Sequence, residues 1–282
     1  MKLLQRWLEN ADSPQVILDL GCGKGSFDYR AACPAGTVVI GADSDFPSLQ
    51  AAGSLLGVCS DGIALPFHQD SFDLIICHNS LEHFRDARAV VREIARILKP
   101  SGRLYVAVPD GRSFSDRLYR FLLTGGGHFQ QFTFQSLVLL VEAETGLRLA
   151  AWQRLYSSFN YVDRRTFLPA PLWAHPGPLP RRMRWVGMLP GALTSGIRTF
   201  LNVATRQVDM YSGLRLAQYG WAFAFQLPEG REAVEEPASR NVCISCGSGV
   251  LREEVDAMSG GLLYRCRSCA KVNVLFADEA SS

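Results

Sequence analysis

Between residues 14 and 110, short apolar segments alternate with segments of helical periodicity, and this alternation constrains the fold more than any other feature of the chain. The strand-like segments are Val16–Leu20, Val38–Ala42, Phe72–Cys77 and Arg103–Val108. The segment DARAVVREIARILKPSG, between the last two, places its apolar residues at helical spacing and ends at Pro100 and Gly102. Apolar strands separated by helices predict an α/β fold built on a mostly parallel sheet.

The chain beyond residue 110 divides into further pieces. Residues 128–156 predict a helix at about Thr133–Glu144 followed by a strand, and Tyr219–Gln226 predicts one more strand. Residues 157–216 contain six prolines and do not continue the alternation of strand and helix patterns, so we interpret them as an insertion between the last two strands. A polar, Glu-rich segment follows, which is typical of a linker. We therefore predict a domain at 1–228, a linker at 229–240 and a small domain at 241–276.

The N-terminal sequence, the length of the apolar segments and the net charge bear on where the protein is located and what it contacts. Arg6 and Glu9 interrupt the apolar residues of the N-terminus, which is unlike a secretory signal peptide. No segment reaches about 18 uninterrupted apolar residues, so we expect no transmembrane helix. A net charge of +2 favours no class of partner. We expect a cytoplasmic protein, in which paired cysteines bind metal more often than they form disulfides.

A glycine-rich turn follows the first predicted strand in the sequence VILDLGCGKG. Glycines 21, 23 and 25 let the backbone bend and approach a ligand closely, beside the N-terminus of the next helix. Ser26 stands where a dinucleotide fingerprint requires glycine, so the spacing favours a ligand with a carboxylate over one with a pyrophosphate. Asp43 ends the second strand, where it can accept hydrogen bonds from ribose hydroxyls. Asp61 follows the third strand, where it can accept from an adenine amino group.

Five segments in this order resemble the class I S-adenosylmethionine (SAM)-dependent methyltransferases, in particular the type 11 group: LDLGCGKG, GADSD, SDGIALPF, SFDLIICHNSLEHF and LKPSGRLYVAVPD. The resemblance covers residues 14–110, and more weakly 128–156 and 219–226. It implies a Rossmann-like sheet with an antiparallel last strand. The cofactor-binding residues that it implies are Asp19, Gly21 and Gly23 at the methionine end of SAM, Asp43 at the ribose, Asp61 and Ile63 at the adenine, and Asn79.

The segment after the fourth strand, HNSLEH, carries the candidates for acceptor chemistry. The methyl group of SAM is already activated, so the protein mainly aligns the acceptor, and an oxygen acceptor also needs a base. His83 is the predicted catalytic base or acceptor-orienting group. Glu82 is interpreted as a structural partner, His78 as a satisfied polar residue, and His128 as a second side chain able to reach the cleft.

Two negative signs disfavour nucleobase acceptors. Cys77 follows Ile76, whereas a cytosine-directed nucleophile usually follows proline, and Asn79 lacks the Pro-Pro-Tyr of an adenine-directed enzyme. We predict methyl transfer to a small-molecule, lipid-linked or glycan acceptor, with an oxygen acceptor preferred. The alternatives are an RNA methyltransferase that uses its C-terminal domain for RNA contact, and a non-catalytic SAM-binding adaptor.

The basic insertion allows two interpretations. Leu193, Ile197, Phe200, Leu201 and Ala204 share one predicted helical face, opposite Arg198, Asn202 and Arg206. In the first interpretation this helix is a lid packed on the cleft. In the second, the insertion contacts a membrane surface or acidic acceptor. The residues assigned to that contact are Arg164, Arg165, Arg181, Arg182, Arg184, Trp173, Trp185 and Met188.

Two CxxC pairs near the C-terminus predict a zinc ribbon whose ligands are Cys243, Cys246, Cys266 and Cys269. Four thiolates leave no coordination position open, so the zinc is expected to be structural, and it would support a piece too small to fold alone. Gly260–Gly261 is the predicted hairpin tip, between strands at Leu262–Tyr264 and Val272–Phe276. Few basic residues surround the second pair, so we favour a protein contact or a stabilising cap over nucleic-acid binding.

Overall fold

The computed structural model describes residues 2–9, 11, 13–25, 29–52, 56–123, 127–164, 181–228, 233–236, 241–243, 249–250, 263–267, 270 and 272–275. The chain divides into two compact units. The first, the sheet unit, contains residues 1–111, 128–153 and 221–236. The second, the insertion unit, contains residues 112–127, 154–220 and 237–282. The domain boundaries expected at residues 228 and 240 stay predictions.

The helices and strands have the following bounds. The helices are α1 Lys2–Glu9, α2 Tyr29–Ala32, α3 Phe46–Ala51, α4 Ala87–Ile97, α5 Phe114–Leu122, α6 Phe134–Thr145, α7 Arg184–Met188 and α8 Gly191–Ser212, with short 3-10 helices η1 Leu81–His83, η2 Asn160–Val162 and η3 Arg181–Met183. The strands are β1 Val16–Leu20, β2 Val38–Asp43, β3 Leu56–Cys59, β4 Phe72–His78, β5 Leu98–Pro109, β6 Arg148–Tyr156, β7 Gln218–Gln226, β8 Val234–Glu236, β9 Asn241–Val242, β10 Gly249–Val250, β11 Leu263–Arg265 and β12 Val272–Val274.

The main sheet has the strand order β3-β2-β1-β4-β5-β7-β6-β8. Strands β1 to β5 pair in parallel, which confirms the mostly parallel, Rossmann-like sheet expected from the alternation of apolar segments and helices. The chain reverses its direction of winding between β1 and β4, and ligands of open α/β sheets bind at the carboxyl ends of strands at such a switch point. The antiparallel orientation of β7 stays a prediction.

Helix α4 shows why this part of the sequence folds as expected. Asp86 precedes the helix and accepts a hydrogen bond from the backbone of Ala89, a standard N-cap. The valines and isoleucines of the helix face the core and are fully buried, so their spacing of three and four residues accounts for the packing. They join one continuous core with strands β1, β4 and β5.

The last part of the sheet unit is held by aromatic packing. Helix α6 begins with a reciprocal capping box between Thr133 and Ser136. Within it, Phe134 packs edge-to-face on Trp152 of β6 and Trp221 of β7, with ring centroids 5.0 and 5.7 Å apart. These contacts join the predicted helix to the two strands that flank the insertion in sequence.

Two elements differ from the sequence-based expectation. Strand β5 begins at Leu98, five residues earlier than predicted, with a register shift opposite Phe72 and Leu74. The segment 229–240, expected to be a linker, contains β8, which pairs in parallel with β6. The sequence did not predict this strand, because the segment is polar and only three of its residues pair with the sheet edge.

Helix α8 in the insertion unit buries its polar face. Its buried residues are Thr194, Ser195, Arg198, Asn202, Thr205, Arg206 and Asp209. Phe200 and Tyr211 are instead 69% and 83% exposed. Ile197 and Leu201 of the predicted apolar face are half-buried and pack against a small core. The helix therefore buries its polar face most completely, and its predicted apolar face is divided between packed and exposed side chains.

The C-terminal segment forms short antiparallel hairpins. Strand β9 pairs with β10, and β11 pairs with β12. Strands β11 and β12 lie close to the two predicted strands, and Cys266 follows β11 directly. The hairpin tip was predicted at Gly260–Gly261. Gly260 and Gly261 lie outside the described residues.

Within the described part of the chain, none of the helices has both the length and the apolar character that spanning a bilayer requires.

Candidate functional site

The carboxyl ends of β1 to β4 bring the predicted site residues to one edge of the sheet. Gly21 follows β1, Asp43 is the last residue of β2, and Asp61 lies two residues beyond β3. Asn79 follows β4 directly. Because these strands are parallel, their carboxyl ends share one edge, so four separate sequence motifs lie along the edge that contains the switch point between β1 and β4.

The glycine turn and the second acidic residue are in direct contact. The backbone N–H of Gly23 donates to Oδ2 of Asp43 at 2.8 Å, and the backbone N–H of Asp45 donates to Oδ1 at 2.9 Å. Gly21, Gly23 and Gly25 all have positive φ, which glycine adopts without strain. These bonds fix the Asp43 carboxylate, and each oxygen keeps a further lone pair for a ligand hydroxyl.

The close packing of the turn against the end of β4 explains why position 21 requires glycine. A Cβ atom placed on Gly21 would lie 2.3 Å from Cβ of Ser80. The buried hydroxyl of Ser80 also donates to the backbone carbonyl of Leu20 at 2.8 Å. Ser80 is therefore a positioning residue that the sequence did not single out, since a serine in a turn carries no distinctive signal.

Asp19 lies within β1 and is buried, with 5% of its surface exposed. The hydroxyl of Tyr29, in α2, donates to its carboxylate at 2.7 Å. Burial raises the pKa of Asp19 to about 6, the Tyr29 hydrogen bond lowers it in part, and the negative charge of Asp43 raises it further. Tyr29 was missed by sequence reasoning because only the fold places it beside β1.

The turn expected to hold the adenine is formed by Asp61 to Ile63. The Asp61 side chain accepts from the backbone of Ile63 at 3.2 Å, so it shapes its own turn, and both residues are exposed. Gly62 packs so closely on the ring of Phe84 that an added Cβ would lie 2.6 Å from Cε1. This contact ties the third motif to the segment that follows β4.

Asn79 and His78 have different environments at the end of β4. Asn79 adopts a positive φ of 52° and donates its backbone N–H to Ala107 of the neighbouring strand. The ring of His78 stacks on Tyr105 with centroids 6.1 Å apart, and burial lowers its pKa to about 4. His78 is therefore neutral at physiological pH and has a structural role.

Glu82, His83 and His128 form a cluster at the same edge. Glu82 and His83 belong to η1, while His128 comes from the segment before α6. The rings of His83 and His128 meet edge-to-face with centroids 4.8 Å apart. Glu82 is 1% exposed, whereas His83 is on the surface and His128 is half-buried. The fold thus brings together the two histidines that the sequence offered as separate candidates.

The predicted zinc ligands are described in part. Cys243 and Cys266 are buried and share a small core with Tyr264 and Leu275. Cys246 and Cys269 lie outside the described residues. Asn273 donates from Nδ2 to Sγ of Cys243 at 3.5 Å. The described cysteines form no disulfide.

The arginines of the insertion separate into two groups. Arg198 and Arg206 are buried in the insertion unit, so they cannot face a membrane or a soluble acidic acceptor. Arg181 and Arg184 are exposed, and Met188 is 80% exposed. Of the other residues assigned to that surface, Arg164 donates to the carbonyl of Leu189. Arg165 and Trp173 lie outside the described residues, and the side chains of Arg182 and Trp185 are not described.

Comparison with known proteins matches one part of the chain to a family. Residues 18–106 match the model of a family described as a methyltransferase domain. A demethylmenaquinone methyltransferase of Corynebacterium urealyticum is 34% identical over 108 residues, 38% of this chain and 46% of the relative. The O-methyltransferase resE of Aspergillus sclerotiorum is 31% identical over 108 residues, 35% of this chain and 41% of the relative.

The chain thus spans less than half the length of these relatives. Residues 18–106 are thus similar to a methyltransferase domain, and Asp19, Gly21, Asp43, Asp61 and His83 all fall within this segment.

Solved structures support the fold. The YcgJ protein of Bacillus subtilis superimposes with a TM-score of 0.52 at 21% identity, covering 81% of this chain and 98% of that one. The [4+2]-cyclase SpnF gives a TM-score of 0.52 at 19% identity and covers 80% of this chain and 79% of that one. The sheet is therefore of the methyltransferase type, a fold that is also found in a protein named for a different reaction.

Proposed function

We propose that this protein is an enzyme that transfers the methyl group of SAM to a small-molecule, lipid-linked or glycan acceptor, with an oxygen acceptor preferred. One observation carries the proposal: the hydrogen bond from the backbone of Gly23 to Asp43 joins the glycine turn to the acidic end of the next strand. A loop that serves only as a tight turn has no need of an acidic side chain from another strand.

The residues at the sheet edge suit the parts of SAM. Asp19 provides a carboxylate for the methionine ammonium group, Asp43 for the ribose hydroxyls, and Asp61 for the adenine amino group. Ile63, which is 48% exposed, offers an apolar surface for the adenine ring. Asn79, directly after β4, is the last of the proposed cofactor-binding residues at this edge. SAM supplies an electrophilic methyl group when bound, so the protein contributes alignment and exclusion of water.

The acceptor class is supported by the relatives and by the absence of nucleobase motifs. One relative is named for demethylmenaquinone, which is a small molecule, and another is named as an O-methyltransferase. His83 lies on the surface after β4, where an acceptor hydroxyl could approach it. We propose a cytoplasmic location for this reaction.

Calorimetric titration of the full-length chain with SAM tests cofactor binding. We expect saturable binding, at least tenfold weaker in Asp43→Ala and unchanged in Asp70→Ala. Asp70 is exposed and lies in the loop before β4. Equal affinities in wild type and Asp43→Ala would contradict the proposed site.

Turnover is tested by mass spectrometry of extracts incubated with the protein and SAM. Formation of S-adenosylhomocysteine together with a methylated product is expected. Binding without turnover over a broad panel of extracts would favour the non-catalytic adaptor. Salt-sensitive binding and methylation of structured RNA would favour the RNA methyltransferase instead.

We further propose that Cys243, Cys246, Cys266 and Cys269 hold a structural zinc ion. Cys243 and Cys266 are buried together, and the side-chain amide of Asn273 reaches the Cys243 sulfur, as outer-shell donors of thiolate metal sites do. The resulting ribbon would stabilise the insertion unit or provide a contact for a protein partner.

Zinc content tests the ribbon. We expect mercurial modification of the thiols to release one zinc ion per full-length chain, and this zinc to be lost in Cys243→Ser and Cys266→Ser. Cys59→Ser is the matched control, because Cys59 is exposed and lies at the end of β3. The same amount of thiol-released zinc in all three variants would refute the ligand assignment.

A peripheral membrane contact of the insertion unit is proposed from its surface. The exposed side of α8 carries Leu193, Phe200 and Tyr211, and exposed Arg181 and Arg184 precede it in sequence. Apolar side chains next to basic ones suit the surface of a bilayer that contains anionic lipids.

A further inference from the structure

The cluster at the end of β4 contains two imidazoles and one carboxylate. One ligand atom from each of Glu82, His83 and His128 can be chosen so that all three lie within 4.8 Å of one another. Ligand atoms bound to one ion at about 2.1 Å are about 3 to 4 Å apart, so rotation of the exposed His83 ring and a small shift of the half-buried His128 ring would close the set. We propose that these three residues form a binding site for a divalent transition-metal ion.

The backbone holds the two contributing segments together independently of any ligand. The carbonyl of Glu82 accepts from the backbone N–H groups of Phe129 and Gln130, at 2.9 and 3.1 Å. The side chain of Gln130 donates to the carbonyl of Arg85 at 2.8 Å, and the Arg85 guanidinium lies 4.5 Å from the ring centroid of Phe129. The two residues that follow His128 are therefore held to Glu82 and Arg85, on either side of His83, which lowers the entropic cost of metal binding.

The chemistry of the donors indicates the class of ion. Two histidines and one carboxylate are the ligand set of open zinc and non-haem iron sites, in which further coordination positions remain for a substrate. The four-cysteine ribbon differs in both respects, because thiolates prefer softer ions and four of them leave no open position. The two sites can therefore be distinguished by the spectrum of a bound probe ion.

The position of the site suggests its use, and this step rests on the proposed function. The cluster follows β4, on the sheet edge that carries the proposed SAM-binding residues. A divalent ion there would lower the pKa of an acceptor hydroxyl. The hydroxyl loses its proton to solvent, its oxygen bonds to the methyl carbon, and the sulfur–carbon bond breaks to leave S-adenosylhomocysteine as a neutral thioether. His83 then acts as a metal ligand, in place of the general base expected from the sequence.

Titration of the full-length, zinc-loaded chain with Co²⁺ tests the site. We expect one saturable Co²⁺ per chain by calorimetry, without the thiolate-to-cobalt charge-transfer absorption that a cysteine site would give. Binding should weaken at least tenfold in His83→Ala and in His128→Ala. His68→Ala should bind like wild type, because His68 is an exposed histidine in the loop before β4.

The outcomes separate this inference from the proposed function. Absence of saturable Co²⁺ binding, or equal affinity in wild type and both histidine variants, would show that the two rings only pack on each other. Thermal unfolding without metal verifies that each variant is folded, and His83→Gln provides a second, milder variant at the surface position. SAM calorimetry on the same samples reports the cofactor site separately, so loss of SAM binding with intact Co²⁺ binding would refute only the methyltransferase proposal.

Discussion

The hydroxyl of Tyr29 donates a 2.7 Å hydrogen bond to the carboxylate of Asp19, in the interior of the sheet unit and next to the glycine turn. Burial raises the pKa of this carboxyl group to about 6, so that the proton is retained up to about pH 6. If Asp19 binds the ammonium group of SAM, the cation favours the ionised carboxylate. Cofactor binding and loss of this proton are then coupled.

We therefore expect SAM affinity to rise with pH up to about 6 to 7 and then to level off. At pH 5.5, binding should release a proton, which calorimetry in two buffers of different ionisation enthalpy measures directly. Asp19→Asn should bind weakly and without proton release. Asp61→Asn should also bind more weakly but keep the release, because Asp19 is intact. Equal binding enthalpies in the two buffers for the wild type would exclude the coupling.

The same pKa shift predicts how stability depends on pH. Between about pH 4 and pH 6, the folded protein keeps a proton on Asp19 that the unfolded chain has already lost, so this contribution to stability falls as pH rises. A shift of about two units corresponds to about 3 kcal/mol. The free energy of unfolding, measured with urea across this pH range, should decline less with rising pH in Asp19→Asn than in wild type. A parallel pH dependence in the two proteins would contradict the shift.

The glycine turn offers a matched pair of substitutions. Gly21 and Gly23 both have positive φ, but a Cβ at position 21 would meet Ser80 at 2.3 Å, whereas a Cβ at position 23 has nothing within 4 Å. Gly23→Ala should cost about 1 kcal/mol of stability from backbone strain. Gly21→Ala should cost about 3 kcal/mol or more because the backbone must also move.

The comparison is made by urea unfolding of both variants, with Ser80→Gly as the compensating change. The double variant Gly21→Ala with Ser80→Gly removes the clashing atom, so its loss should be smaller than the sum of the two single losses. Strict additivity would show that Ser80 is not the obstacle.

The sequence predicted the first half of the sheet unit well, because its signals are local. Apolar strands, glycine spacing and the acidic residues at strand ends depend on only a few neighbouring residues, and the structure brings Gly21, Asp43 and Asp61 to one edge. Tyr29, Ser80 and the pairing of His83 with His128 were not predictable in this way. Each depends on contacts between segments far apart in sequence, which periodicity does not report.

Helix α8 shows where a sequence rule accounts for only part of the packing, because Ile197 and Leu201 pack inward but the most deeply buried residues are polar. The apolar face of an amphipathic helix normally packs inward. Here Asp163 and backbone carbonyls supply partners for Arg198, Asn202 and Arg206, and these contacts offset the cost of burying the polar face. Those partners lie up to 49 residues away along the chain, so the helix sequence alone contains no sign of them.

Asp163 is the centre of this buried polar contact and is expected to be essential for stability. It accepts from Ser195 at 2.5 Å and pairs with Arg198 at 3.0 Å, and both members of the ion pair are almost fully buried. Asp163→Ala leaves a buried guanidinium without its counter-charge, so we expect a loss of about 3 to 5 kcal/mol in urea unfolding. Adding Arg198→Met should restore part of the loss, and a double variant less stable than Asp163→Ala would contradict this account.

The exposed side of α8 provides the last prediction, which concerns anionic membranes. Full-length protein should co-sediment with phosphatidylserine-containing vesicles, and Phe200→Ser with Tyr211→Ser should weaken this about tenfold or more by removing apolar surface. Arg181→Gln with Arg184→Gln should weaken it by a similar factor and reduce its dependence on salt. Leu139→Ser is the control, because Leu139 is an equally exposed apolar residue, at 61%, on helix α6 of the sheet unit. Two outcomes would assign the membrane contact to another surface. One is loss of vesicle binding in Leu139→Ser, and the other is unchanged binding in both the α8 variant and the arginine variant.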